Sequence, residues 1–526
     1  FWDAIRKRAD ICLEHESQGL PPVLNFEYEM VLDARHFDRP CNYALLAISR
    51  FGDACMEHCF DPEKPPVIIV DPRAGHGPGI GGSKRESEVG VAMHQGHAVY
   101  FVAFYPKPEP HQSIPDVLEA LSRFVTEVRR RHDDRPPILI GNCQAGWMLT
   151  LLSAVHKELS GPVVLCGSPL SYWAGKPGKN AMQLEGGLVG GSWLSHFLGD
   201  LGAGEFDGAW LVFNFENLNP THAIWSKYYD LYAKIDTEEE RFLSFERWWN
   251  GFYRFSTEEI VAVVSHLFVG NEIENGTFLL GDGCSVDLKN IGIPMVIFAS
   301  EGDNITPPSQ ALAWVAAVYK TTEGLKAAGQ RIVYMIHPHV GHLGIFVSAE
   351  VARKEHNAIL NSMEQLSRLK PGFYEMKVSE GTFNEDCELP THKVRFEERA
   401  IEDIACGHSH AHFEKVKALS QWNEAIYRQW FSPWVQMMAN PVAATAMRQM
   451  HPMRLTRYMW SQWANPAMWS VAALAPLVHA TRMATFPDHP LRIMEARTSE
   501  LVAQGLQQAK SSVDDTAREV FRLLYG

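Results

Sequence analysis

Residues 138–146 read Ile-Leu-Ile-Gly-Asn-Cys-Gln-Ala-Gly, an apolar run that breaks into a turn of small residues around one cysteine. This pattern predicts a β-strand that delivers a nucleophile onto a sharp strand-to-helix turn. Small residues flank such a nucleophile because the turn is strained and the following helix packs close to the strand. A thiol in place of the usual serine indicates thioester chemistry, and a buried structural cysteine is the alternative interpretation.

Two later strand ends supply the partners that a nucleophile needs. Asp303 follows an apolar run at residues 291–299, and His342 follows another at residues 331–336. The chain order nucleophile, acid, histidine is the one expected of an α/β-hydrolase sheet. We therefore predict a catalytic triad of Cys143, Asp303 and His342.

Each member of the predicted triad has its own role. Cys143 attacks as the thiolate, His342 takes the thiol proton and later activates the acceptor, and Asp303 orients the imidazole. His337 and His339 are alternatives for the base. We prefer His342 because it lies in a Gly-His-Leu-Gly turn.

The oxyanion that forms at the acyl carbon needs two backbone N–H donors. We predict Gln144, which follows the nucleophile, as one donor. Arg73, in the loop after the apolar strand at residues 67–70, is predicted as the other. For the glycine-rich residues 75–82 of that loop, an ordinary flexible connector is the alternative.

Composition limits the classes of partner and compartment. A net charge of −14 argues against nucleic acid as the main partner. The nine cysteines have no framework spacing, which favours a reducing cytoplasm over secretion. No run of about 18 apolar residues is present, so we predict no transmembrane segment. Because the sequence begins at Phe1, a preceding targeting segment stays an open alternative.

No cofactor and no metal is predicted. Residues 406–412 alternate Cys and His, which are zinc ligands by type. No second group of ligands stands near them in the sequence, and alternating histidines also occur on solvated loops. No convincing nicotinamide-binding or phosphate-binding glycine loop is found.

The pattern divides the chain into five parts. Strands alternate with helices in the predicted core, which indicates a parallel sheet covered on both faces. The predicted parts are an N-terminal helical or extended segment at 1–60, the α/β core at 61–169 and 291–355, a mainly helical cap inserted at 170–290, a small β-containing addition at 356–412, and a C-terminal helical region at 413–526.

Aromatic side chains are concentrated in two of these parts. An aromatic cap suits a bulky, fairly apolar acyl substrate and keeps water out. The tryptophan-rich C-terminal helices are candidates for docking on a polyester granule or for a homodimer interface. A buried helical subdomain is the alternative for them.

The nucleophile turn, the acid loop at residues 300–304 and the histidine turn at residues 340–346 resemble those of the polyhydroxyalkanoate synthases. The opening residues 8–47 and the overall layout resemble a bacterial synthase-like branch of unknown function. The resemblance covers roughly residues 1–355.

What the resemblance implies is a cysteine-nucleophile α/β-hydrolase fold that acts on 3-hydroxyacyl thioesters or polyesters. Hydroxyacyl-CoA and polyester are the implied substrates. By the same resemblance Cys143 carries the acyl group, Asp303 is the acid and His342 is the base. The predicted location is cytoplasmic, with attachment to polyester granules as an option.

Two features leave the direction of the chemistry open. Synthases usually have Gly-x-Cys-x-Gly-Gly, whereas this chain has Ala145 at the fifth position. The pair Cys143-Gln144 also resembles the intracellular polyhydroxybutyrate depolymerases. We therefore expect acyl transfer, with hydrolysis as an alternative on the same triad. A granule-associated scaffold with a vestigial hydrolase fold is the alternative of another class.

Overall fold

The computed structural model describes residues 1–50, 60–175, 180–281, 283–379, 381, 389–404, 410–483, 485–486 and 488–526. The Cys and His residues at positions 406 and 408 therefore lie outside the described residues. Within the described residues, one mixed sheet of ten strands forms the centre of the molecule.

The sheet is parallel in its middle and antiparallel at both ends. Its order is β1-β2-β4-β3-β5-β6-β9-β10-β11-β12, and β7 and β8 pair separately in the cap. Neighbouring strands run parallel from β4 to β11, while β1, β2 and β12 are antiparallel to their neighbours. The strands are β1 Glu27–Asp33, β2 Tyr43–Arg50, β3 Val67–Val70, β4 Val99–Phe104, β5 Ile138–Asn142, β6 Val163–Cys166, β7 Glu205–Asp207, β8 Arg254–Ser256, β9 Met295–Ser300, β10 Arg331–His337, β11 Gly372–Val378 and β12 Val394–Arg399.

The helices before and within the core are α1 Trp2–Ser17, α2 Glu88–His94, α3 Ile114–Arg131 and α4 Gln144–Val155. Those of the cap are α5 Ala181–Leu188, α6 Trp193–Leu201, α7 Ala209–Leu218, α8 Lys227–Ala233, α9 Ile235–Trp249, α10 Thr257–Ala262 and α11 Glu272–Asn275. After the cap follow α12 Pro308–Tyr319, α13 Thr322–Ala327, α14 His342–Val347, α15 Ala349–Val351, α16 Asn357–Asn361 and α17 Met363–Arg368. The C-terminal helices are α18 His410–Ile426, α19 Ser432–Met438, α20 Pro441–Gln449, α21 Pro452–Trp460, α22 Ala467–Thr481 and α23 Pro490–Tyr525.

Short irregular helices join several of these elements. π-Helical turns lie at Thr221–Ser226, Val263–Val269, Ala352–His356 and Tyr427–Phe431, and 3-10 turns at Ala34–His36, Leu288–Asn290 and Ile401–Ile404.

Two apolar layers cover the two faces of the sheet. In β4, Tyr100, Val102 and Phe104 pack into one layer, and Phe101 and Ala103 pack into the other. A strand that is buried on both faces must be apolar at every position, which explains its unbroken apolar sequence. The strand order, the parallel centre and the two covered faces are those of the α/β-hydrolase fold, as predicted.

The sheet extends past the predicted core limits of 61–169 and 291–355. Strands β1 and β2 lie in the predicted N-terminal segment, and β11 and β12 lie in the predicted β-containing addition. Strand β2 pairs with β4, and β11 pairs with β10, so all four belong to the central sheet. The residues of β1 are mostly exposed at the sheet edge, and such a strand gives only a weak sequence pattern.

The C-terminal helices leave many aromatic side chains exposed. Trp430, Trp434, Trp463 and Trp469 are each more than three-fifths exposed. By contrast, Phe521 of α23 is buried against the cap. In the described part of the chain no helix is both long and apolar enough to cross a bilayer.

Candidate active site

Cys143 lies in the sharp turn between β5 and α4. Its φ is 48° and its ψ is −116°, a backbone conformation that residues with a Cβ rarely adopt. Its N–H donates to the carbonyl of Cys166 at 2.8 Å. The strained turn therefore places the thiol at the N-terminus of α4, at the carboxyl end of the parallel strands.

Two glycines allow this turn to close. A Cβ on Gly141 would lie 2.9 Å from the backbone of Gly146, and one on Gly146 would lie 1.9 Å from Ser168 Oγ. Glycine is required where backbone segments approach this closely. The critical close contact is at Gly146, and alanine is accommodated one position earlier, where Ala145 is buried.

The three predicted triad side chains meet at the end of the sheet. His342 Nε2 lies 3.3 Å from Cys143 Sγ, and His342 Nδ1 lies 2.7 Å from Asp303 Oδ2. The other carboxylate oxygen of Asp303 accepts the N–H groups of Ile305 and Thr306, each at 2.8 Å. All three triad side chains are buried. Their spacing is that of a nucleophile, a base and an orienting acid, and their catalytic roles stay a prediction.

The charges of the triad favour the protonated form of the His342 imidazole. Burial alone would lower the pKa of His342, but the neighbouring charges of Asp303 and Cys143 outweigh it and raise the pKa to about 10. A cationic imidazole and a helix N-terminus both favour the thiolate form of a cysteine. The arrangement therefore suits a thiolate–imidazolium pair.

The two alternative histidines lie in the turn that leads to α14. The Nδ1 atom of His337 accepts the N–H groups of His339 at 3.2 Å and Val340 at 3.0 Å. His339 is exposed. Of the three histidines, His342 is the one that the structure brings to Cys143.

The two predicted oxyanion donors lie in different elements, Gln144 in α4 and Arg73 in the loop after β3. Gln144 is the first residue of α4, where an N–H has no acceptor within the helix. Pro72 and Ala74, on either side of Arg73, line the cavity that holds Cys143. The Arg73 side chain turns away and donates to Glu259 at 2.8 Å. Donation by the Gln144 and Arg73 backbones stays a prediction.

A cavity of about 430 Å³ opens above the nucleophile, between the sheet and the cap. Its floor is formed by Cys143 and His342, and its cap wall is aromatic. The cap side chains that line it include Phe215, Phe245 and Trp249.

His76 is a cavity residue that the sequence analysis missed. It is 2% exposed, and its ring centroid lies 4.4 Å from that of Trp248 and 5.5 Å from that of Trp249. Burial lowers its pKa to about 4, so the imidazole is neutral at pH 7. Nδ1–H donates to the carbonyl of Gly77 at 3.0 Å, which leaves Nε2 as an acceptor.

The only sequence signal for His76 is its place in the glycine-rich loop. That loop is packed rather than loosely connected, since Asp71 accepts the N–H groups of Gly79 and Ile80 at 2.6 and 2.8 Å.

A buried charge network closes the cap end of the cavity. Lys227 pairs with Glu216 at 3.3 Å and with Glu246 at 3.1 Å, and Arg8 of α1 also pairs with Glu246. Burial would raise the pKa of Glu246, but Arg8 and Lys227 lower it to about 2. The network ties α1 to α8 and α9, and the Glu246 carboxylate in it is ionised at neutral pH.

Related sequences place the chain near the polyhydroxyalkanoate synthases. It is 26% identical over 242 residues to the "Poly(3-hydroxyalkanoate) polymerase subunit PhaC" of Allochromatium vinosum, a match that covers 45% of this chain and 61% of that one. Among solved structures, a monoacylglycerol lipase of Paleococcus ferrophilus matches with a TM-score of 0.35 and 15% identity, over 62% of this chain and 99% of that one.

A much stronger match covers the whole chain. It is 45% identical over 536 residues to the "Uncharacterized protein in ackA 5'region" of Rhizobium meliloti, covering 100% of this chain and 72% of that one. The model of a family described as "Protein of unknown function (DUF3141)" matches residues 1–526, and the chain belongs to that family.

Proposed function

We propose that this protein transfers 3-hydroxyacyl groups through a thioester on Cys143. The observation that carries the proposal is the 3.3 Å approach of His342 Nε2 to Cys143 Sγ, with Asp303 behind the imidazole, at the floor of an apolar cavity. Distant similarity to polyhydroxyalkanoate synthases supports the same substrate class.

The first half-reaction forms the acyl-enzyme. The Cys143 thiolate attacks the carbonyl carbon of a hydroxyacyl thioester, and the oxyanion is held by the N–H groups of Gln144 and Arg73. The carbonyl re-forms and expels the donor thiolate, for example that of CoA. His342 supplies the proton that the leaving thiolate takes up.

The second half-reaction releases the acyl group to an oxygen nucleophile. His342 takes a proton from the acceptor hydroxyl, whose oxygen attacks the acyl carbon, and Cys143 leaves as the thiolate. A hydroxyl on another hydroxyacyl unit gives transfer and a longer chain. Water gives hydrolysis.

The cap wall favours transfer over hydrolysis. Phe215, Phe245 and Trp249 line the cavity, and an aromatic wall excludes water from a reactive thioester. The Cys143-Gln144 pair, which resembles that of the intracellular polyhydroxybutyrate depolymerases, favours hydrolysis as the second candidate.

Intact-mass spectrometry with 3-hydroxybutyryl-CoA tests this proposal. We expect the chain to gain the mass of an acyl group and to release free CoA. Cys143→Ala should do neither, while Cys284→Ala, at an exposed cysteine, should behave as the parent chain. Growth of the adduct by repeated units indicates transfer, and rapid return to the bare mass indicates hydrolysis. Absence of adduct and of free CoA contradicts the proposal and favours a scaffold.

A further inference from the structure

A second cluster of reactive side chains lies behind the nucleophile turn. Glu88 begins α2, Cys166 ends β6 and His356 ends the π-helical turn after α15. Their exposed fractions are 0%, 0% and 2%. One ligand atom from each lies within 4.8 Å of the others, and Glu88 Oε1 is 3.4 Å from His356 Nε2.

This cluster has more buried acceptors than donors. Asn142 Nδ2 donates to Glu88 Oε2 at 2.7 Å, but Oε1 of the same carboxylate receives no hydrogen bond from any described residue. The Nε2–H of His356 points to the carbonyl of Ile345 at 2.7 Å. The side-chain oxygen of Asn142 also has no donor among the described residues. The charged partner of Glu88 Oε1 is the His356 imidazole, 3.4 Å away, but the Nε2–H of that ring is directed at Ile345. The buried oxygen is therefore left without a hydrogen bond, which is costly, and a bound cation would satisfy it.

We propose that Glu88, Cys166 and His356 bind one zinc ion. Thiolate sulfur, imidazole nitrogen and carboxylate oxygen are all ligands that zinc takes in proteins. Ligand atoms about 2.0–2.1 Å from zinc lie roughly 3.3 Å apart in a tetrahedron, close to the spacing between Glu88 Oε1 and His356 Nε2. The carbonyl of Ile345, 2.7 Å from His356 Nε2, is a further oxygen beside the site.

Binding changes the protonation of two ligands. Cys166 loses its thiol proton to solvent, and the imidazole proton of His356 moves from Nε2 to Nδ1 so that Nε2 can bind the metal. Because all three residues are buried, the ion enters as the chain folds rather than by exchange into the finished fold.

The zinc would hold together the elements that carry Cys143 and His342, without contacting the reacting atoms. The carbonyl of Cys166 accepts the N–H of Cys143, and Asn142, next to the nucleophile, contacts Glu88. Ile345 lies on α14, the helix that carries His342. The site therefore joins the elements that position the nucleophile and the base, whatever reaction they perform.

The sequence predicts no metal here because the three ligands share no spacing motif. Each comes from a different element, and only the packing of α2 against the sheet and against the segment after α14 brings them together. In the described part of the chain this is the cluster whose ligand atoms meet closely enough for a metal ion.

Metal analysis of the full chain, expressed with added zinc, tests the proposal. We expect about one zinc per chain, and loss of most of it in Cys166→Ser and in Glu88→Gln. Cys12→Ser, which changes another buried cysteine, should keep the metal. A parent chain that is folded and free of zinc overturns the proposal, as does a Cys166→Ser chain that keeps the full amount.

Zinc-edge X-ray absorption of the parent chain covers the case in which the variants fail to fold. We expect one sulfur in the metal's coordination shell and nitrogen or oxygen for the rest. A shell without sulfur, or with several sulfurs, overturns the assignment. Since neither measurement uses turnover, a failed zinc site and a failed acyl transfer are distinguishable.

Discussion

Replacing Cys143 by glycine and by alanine measures the strain stored in the nucleophile turn. Both changes remove the sulfur and all activity, so their difference in stability reports on the backbone. At φ 48° and ψ −116°, a residue with a Cβ costs about 1–3 kcal/mol that glycine avoids. Against this, glycine forfeits about 0.8 kcal/mol for one buried methyl group and roughly 0.5–1 kcal/mol of chain entropy. We therefore expect Cys143→Gly to be less stable than Cys143→Ala by no more than about 1 kcal/mol, or to be more stable by up to about 2 kcal/mol.

A matched change at Ala154 supplies the reference. This residue is also buried, but it lies within the regular helix α4, where no strain is relieved. Ala154→Gly should cost about 2 kcal/mol, from the buried methyl group and the low helix propensity of glycine. The parent chain and the Cys143→Gly, Cys143→Ala and Ala154→Gly chains are unfolded in urea and analysed with one common m-value. The resulting free energies of unfolding give the cost of glycine relative to alanine at position 143 and at position 154. If glycine costs as much at position 143 as at position 154, the turn stores no strain and the reasoning fails.

Three further predictions follow from single contacts of the site. Asp303→Asn keeps the size of the side chain but removes the charge that orients the imidazole, so thioester turnover per folded chain should fall about 10³–10⁴-fold. Stability should fall as well, because the buried imidazole loses its counter-charge. An unchanged rate would remove the acid from the mechanism. For His76 the folded pKa is about 4 and the ordinary value is 6.5, so the unfolded chain takes up the proton first, and stability is lost as pH falls through this window. Between pH 7 and pH 4 the free energy of unfolding should fall by roughly 3 kcal/mol because of His76. In His76→Phe, unfolding midpoints in urea should show a smaller fall over the same pH range. Arg73→Met removes the cation that pairs with the buried Glu259 and should lower the free energy of unfolding by about 3–5 kcal/mol. Turnover per folded chain should persist, because only the backbone N–H of residue 73 is assigned to the oxyanion. A large fall in kcat would place the guanidinium in the reaction.

The candidate site is predictable from sequence where each part is encoded locally. An apolar strand followed by small residues identifies the turn at Cys143, and the positions of Asp303 and His342 after later strands follow the same rule. Their meeting in space could be expected because parallel strands end at one edge of a sheet. Each member of the triad thus carries its own short signal.

What could not be predicted depends on contacts between distant parts of the chain. His76 is buried because Trp248 and Trp249 of the cap pack on a loop of the core. The cluster of Glu88 and His356 arises from the packing of elements that are far apart in sequence. The edge strand β1 gave no clear pattern, since a strand with an exposed side does not need an unbroken apolar sequence.

The central claim is that His342 activates Cys143 as a nucleophile, and the pH dependence of cysteine alkylation tests it most directly. The chain is treated briefly with iodoacetamide between pH 6 and pH 9, and each modified cysteine is located by peptide mass spectrometry. Burial raises the pKa of Cys12, Cys41 and Cys166, so these thiols should stay unmodified. Because the pKa of His342 is about 10, the cation beside Cys143 persists across this pH range, and Cys143 should react at pH 6 faster than the exposed Cys284.

In His342→Gln this advantage at pH 6 should disappear, because the cation that favours the thiolate is gone. The account is contradicted if the rate at Cys143 in the parent chain rises with pH in parallel with that at Cys284. It is equally contradicted if His342→Gln leaves the rate at Cys143 unchanged.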